Sequence, residues 1–217
     1  MEQFSIVQKI IIFAIPLLFA ITLHEVAHGA VANRLGDPTA KLAGRLTLNP
    51  INHIDLFGTI LVPLLMLVLS AFTFAFGWAK PVPVNFNNLK KPRRDMALVA
   101  LAGPMANFLM AIFWAMMAKV GRLAAQDTMY GKVLFVMGIA GIIINLLLMV
   151  LNLLPIPPLD GSRVLASVSP PWFVRVLNRI EPFGIFILIA LLFAGVLGTV
   201  IKPAVAALYQ FIIAILL

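Results

Sequence analysis

Five apolar stretches constrain this chain more than anything else in it, because each is long enough, or nearly so, to cross the hydrocarbon core of a bilayer. They are Ile6 to Val31, Leu56 to Phe76, Met96 to Val120, Val133 to Leu154 and Phe183 to Val200, with Ala204 to Leu217 a marginal sixth. None shows the sustained period-two alternation of lipid-facing barrel strands, so backbone hydrogen bonds must close within helices. The expected fold is all-α: a polytopic helical membrane protein of five to six membrane segments with short β-like loops.

The composition agrees. With 62% of residues hydrophobic and 11% charged, water cannot be the main solvent of this chain. The net charge of +8 is spread through short loops rather than along one soluble face, which excludes nucleic acid and points to the lipid bilayer and positive-inside topology. There is no cysteine, so any metal must be held by histidine and carboxylate. The first apolar run is longer than a signal-peptide core and carries the densest chemistry of the chain, so it reads as a retained helix. No loop is long enough for a second domain. Residues 1–217 read as one membrane-embedded unit, with a core at about 5–165 and C-terminal helices at about 170–217.

Two loop segments have an extended character: Gly44 to Leu48, a short β-like run, and Gly77 to Asn88, where alternating prolines permit only an edge strand or extended chain. Pro170 to Ile180 puts Trp172, Phe173, Val176, Leu177 and Ile180 on one helical face, the pattern of an interfacial helix.

The chemistry concentrates at His24-Glu25-Val26-Ala27-His28. Residues four apart share a helix face, so the two imidazoles can bind one metal while Glu25 reaches a water on it. Three ionisable groups in a membrane helix are costly unless they serve a purpose. A hydrolytic zinc site needs a third protein ligand. Among the remaining acidic residues and His53, Asp160 stands out. It ends a membrane helix in the string Asn152-Leu-Leu-Pro155-Ile-Pro157-Pro158-Leu159-Asp160-Gly161, whose prolines break the helix as if to line a polar cavity.

Together, His-Glu-x-x-His and Asn-x-x-Pro-x-x-Pro-Leu-Asp-Gly resemble the site-2 proteases, intramembrane zinc metalloproteases. Asn49-Pro50 through Asp55, Gly77 through Asn85, and Ala102-Gly103-Pro104-Met105-Ala106-Asn107 are similar to a small bacterial branch without a PDZ domain. The resemblance runs from about Leu23 to Leu165. It implies one zinc ion held by His24, His28 and Asp160, with Glu25 as general base and Asn152 orienting the scissile carbonyl. It also implies transmembrane proteins or peptides as substrates and a place in the cell membrane. Ser162 and Leu56 depart from the family pattern where a second glycine and a proline are common. Asn107 is either helix-packing glue or a substrate contact. His53 reads as a structural hydrogen bonder, and Asn145 as packing.

Bringing His28 and Asp160 to one metal requires their helices to run parallel, hence an odd number of crossings between them. Two apolar runs intervene, so one must turn back. If Leu56 to Phe76 is re-entrant, most lysines and arginines, from Arg34 to Arg179, gather on one side, as the positive-inside rule favours. The active site then opens toward the cytoplasm. The competing classes are a catalytically inactive relative that binds membrane clients, and a channel or transporter, which would not need a glutamate between two ligands.

Overall fold

The structure, a computed structural model, describes residues 4–69, 77, 80–125 and 128–217. Helix α1, Ile6–Leu35, starts at a reciprocal cap in which Ser5 and Gln8 satisfy each other's backbone N–H groups, and ends at Gly36, whose φ of 116° only glycine adopts readily. A short helix α2, Thr39–Leu42, follows. A wide helical turn, Leu56–Leu61, leads into α3, Val62–Leu69. The long helix α4, Pro92–Ala124, opens with proline in its first turn, where no N–H is needed. Helix α5, Met129–Asn152, is capped by Thr128 and stops where Leu153 begins the proline-rich turn. Then come α6, Asp160–Val168; α7, Pro171–Ile180; α8, Gly184–Phe193; and α9, Val196–Leu216.

The bundle is built on α1, α4 and α5. Along α4 and α5 the pairs Ala124 with Gly131, Ala118 with Gly138 and Trp114 with Gly141 run in opposite senses, so these helices are antiparallel and closely packed. Helix α1 also opposes α4: His28 meets Val99 and Ala20 meets Asn107. Therefore α1 and α5 are parallel, and their C-terminal ends lie together. Ile142, Leu146, Trp114 and Ala115 form the main buried core, sealed by Ile212 of α9.

Among the described residues, five helical segments are long and apolar enough to cross a membrane: α1, α4, α5, Pro171–Phe193 and α9. The run from Leu56 is not one of them. Its described part is six residues of wide turn and eight of α3. The two sides of this run are tied together, because the Lys80 N–H donates to the His53 carbonyl at 3.0 Å and the Lys90 N–H donates to that of Leu35 at 3.2 Å. His53 and Lys80 therefore lie together, as do Leu35 and Lys90, which is what the re-entrant course favoured by the charges would require. Residues 70–76, 78 and 79 of this stretch lie outside the described residues.

Arg45–Leu48 and Val82–Asn85 form no strand, and none occurs among the described residues; in the second segment the extended chain, not the edge strand, is realised, Pro83 removing a donor that a ladder needs. Two expectations need correction. The run Phe183 to Val200 is not one helix, because Gly195 takes the left-handed conformation at φ 75° and splits it between the segment Pro171–Phe193 and α9. Asp160 does not end a membrane helix. Helix α5 has already stopped at Asn152, and Asp160 opens α6.

Candidate active site

The ligand group forms where three helices meet. His24 and His28 are one turn apart on α1, and both are buried. Their Nε2 atoms lie 3.0 Å apart, and Asp160 Oδ2 sits 3.2 Å from the first and 3.3 Å from the second. Donors about 2.0–2.1 Å from a tetrahedral zinc would be spaced at about 3.3–3.4 Å. The spacing fits.

Hydrogen bonding shows why these atoms need a cation between them. His28 Nδ1 lies 2.7 Å from the Val99 carbonyl, which only accepts, so Nδ1 carries the hydrogen. His24 Nδ1 lies 2.7 Å from Asn107 Oδ1. The Asn107 amide is fixed in that orientation, since its Nδ2 donates to the Ala20 carbonyl and to Asn145 Oδ1, both at 3.1 Å. Asn145 is in turn held by the Gly141 carbonyl at 2.9 Å. With both Nδ1 atoms protonated, the two Nε2 lone pairs converge on a carboxylate oxygen that has no hydrogen-bond donor. Three lone pairs facing one point repel unless a positive charge sits among them, and this donor set suits a divalent metal. No other group of three or more such side chains occurs among the described residues.

Gly103 makes the approach possible. A Cβ there would overlap the rings of both His24 and His28, so only glycine lets α4 lie flat against the ligands. Asp160 is held from its own side. Gly161 packs on the Leu153 and Leu154 carbonyls, and Ser162 Oγ donates to Leu159 at 2.7 Å.

The other candidates fall in different places. Glu25 is half-buried, and its Oε2 accepts the Val82 backbone N–H at 2.7 Å. Asn152 donates Nδ2 to the Leu148 carbonyl of its own helix at 3.0 Å, leaving a second amide hydrogen. Asn107 is fully buried, and its polar atoms are engaged by His24, Ala20 and Asn145 as described. His53 stands apart from the metal group: it is buried, and its Nε2 donates to the Thr47 carbonyl at 3.0 Å. Sequence reading missed the role of Asn145 and the cradle at Gly103; the one available signal was the four-residue spacing of Gly103 and Asn107, which puts both on the α4 face toward α1.

The sequence profile of peptidase family M50, the site-2 proteases, matches residues 12–130 and 115–195, which is most of the chain. The chain belongs to family M50. It is similar to YwhC of Bacillus subtilis, which its name assigns to the zinc metalloproteases, at 41% identity over 191 residues, covering 85% of this chain and 81% of the relative. Similarity extends to Rip2 of Mycolicibacterium smegmatis, also named as a zinc metalloprotease: 30% identity over 181 residues, 83% of this chain and 66% of Rip2. Rip2 of Mycobacterium tuberculosis strain H37Rv is 32% identical over 184 residues, with the same coverage of both chains. No solved structure matches the chain. Membership of M50, with five apolar helices, makes this a multi-pass membrane zinc protease.

Proposed function

We propose that this M50 protein cleaves peptide bonds of transmembrane proteins or peptides within the membrane, using one zinc ion per chain held by His24, His28 and Asp160. The observation that carries the reading is the convergence of two unprotonated Nε2 atoms and one unpartnered carboxylate oxygen on a single point. Zinc bound there supplies Lewis acidity, which polarises a carbonyl and makes water acidic enough to react near neutral pH. The protein's own residues do the rest. Glu25, next to His24 on the same helix, accepts the proton of the attacking water and returns it to the leaving amine. The second Nδ2 hydrogen of Asn152 is the donor for the oxyanion that develops on the scissile carbonyl. Asn107 and Val99 keep the imidazoles in the ligating tautomer.

A substrate helix must unwind before it can be cut. The extended segments Arg45–Leu48 and Val82–Asn85 beside Glu25 are the surfaces on which it would lie as a strand. The basic end of the bundle, where α1 and α5 terminate, faces the cytoplasm of a cell membrane by the positive-inside rule.

The test is cleavage of a single-span helical substrate in detergent by wild-type protein and by Glu25→Gln. A general base contributes about 10²–10⁴-fold, so the variant should lose at least about a hundredfold in kcat while keeping its zinc. Equal cleavage by both proteins removes Glu25 from the mechanism.

A further inference from the structure

Glu25 is not left to find its own orientation. The tripeptide Pro81-Val82-Pro83 contains one backbone N–H, that of Val82, because neither proline has one. That N–H is the one bonded to Glu25 Oε2 at 2.7 Å. Pro83 also confines Val82 to extended backbone, so the N–H cannot swing into a helical turn. The Val82 side chain is buried against Gly29, one helical turn beyond Glu25, where a Cβ would clash with it.

The tripeptide is gripped at both ends. On one side, Arg45 Nη2 donates to the Lys80 carbonyl at 2.8 Å and reaches the Pro81 carbonyl at 3.5 Å, while the Lys80 N–H donates to His53. His53 also binds Thr47, which fastens the loop carrying Arg45 to the same place. On the other side, Asp37 is fully buried and accepts the Asn85 N–H at 2.7 Å and Asn88 Nδ2 at 2.9 Å, together with the Thr39 N–H and hydroxyl. Two anchors from the α1 end therefore hold a rigid segment with a single donor, and that donor meets the glutamate.

We propose that the Val82 N–H is a positioning group for Glu25, and that Arg45 and Asp37 are positioning residues acting through the segment between them. This rests on Glu25 being the general base. The segment fixes the carboxylate so that its other oxygen faces the substrate water. A misplacement of about 1 Å at such a group costs on the order of a hundredfold in rate.

The experiment compares Val82→Pro, which removes the N–H in a backbone already extended, with Val82→Ala, which shortens the side chain and keeps it. Zinc content, kcat and KM are measured on a single-span helical substrate, with Glu25→Gln in parallel. The expected result is a kcat for Val82→Pro at least about tenfold below that of Val82→Ala, at equal zinc content and equal KM. Equal kcat values, or a loss seen in KM alone, would overturn the proposal. If Val82→Pro fails to retain zinc, Arg45→Met decides: lowered kcat with zinc kept, partly restored in Arg45→Lys, supports it. An unchanged kcat in Arg45→Met, or zinc loss there too, assigns the segment to the fold alone and sinks it. Full activity in Glu25→Gln would instead strike the general-base reading, so the two failures are told apart.

Discussion

At the scale of single residues, the proposed ligands depend on neighbours that are not donors to the metal themselves. Gly103→Ala should abolish zinc binding while leaving α4 helical, since the added methyl would occupy the space of both imidazole rings; metal analysis and circular dichroism of the purified variant check this. Asn107→Leu should weaken zinc affinity by about 10–100-fold, measured by competition with a chelator, because His24 loses the partner that fixes its tautomer. Affinity equal to wild type would mean that packing alone aligns the ring. The candidate ligands were legible in the sequence because metal binding demands particular side chains at particular helical spacings: His24, Glu25 and His28 fall together on one helix, and Asp160 is marked by the prolines before it. The residues that orient them were not. Asn107 acts on a histidine far away in sequence, and Asn145 acts on Asn107, so neither has a local pattern to give it away.

At the scale of elements, apolar runs located the helices, yet their ends and interruptions depended on backbone conformations that hydropathy does not encode. Gly195 divides a run that composition joins, and α5 stops at Asn152, before the end of the apolar run at Leu154. The re-entrant course expected of the second run comes from helix parity together with the charges around it, and the pairing of its flanks agrees. It follows that single cysteines placed at Asp55 and Gly77 should react with a membrane-impermeant reagent from the same side, that of Arg34 and Arg94. Labelling from opposite sides would require α1 and α5 to be antiparallel, against the packing seen. The loop elements respond to pH through Asp37. Burial pushes its carboxyl up, but the Thr39 hydroxyl, Asn88, and the N–H groups of Asn85 and Thr39 outweigh this and hold it below the usual carboxylate range. A lowered folded pKa means stability that is complete above the unfolded value, about 3.9, and lost as pH falls through the folded one. Melting temperature should therefore drop below about pH 4 in the wild type, and Asp37→Asn should show a weaker dependence in that window.

At the scale of the whole molecule, the site is also a fastener. On the proposed reading, α1 supplies two ligands and the first residue of α6 the third, so a bound ion would tie the first helix of the bundle to α6. Without a cation the converging lone pairs oppose that closure. A ligand at a hundred times its Kd stabilises the folded state by about 2.7 kcal/mol, and its removal should withdraw a stabilisation of that order. A strong chelator should thus lower the melting temperature of the wild type in detergent, and restoring zinc should recover it. Asp160→Ala, lacking one of three donors, should melt near the chelated wild type and respond to neither treatment. If chelation instead left the wild-type transition where it was while removing the metal, the carboxylate and imidazoles would be held together by the surrounding helices alone, and the ion would serve chemistry without serving the fold.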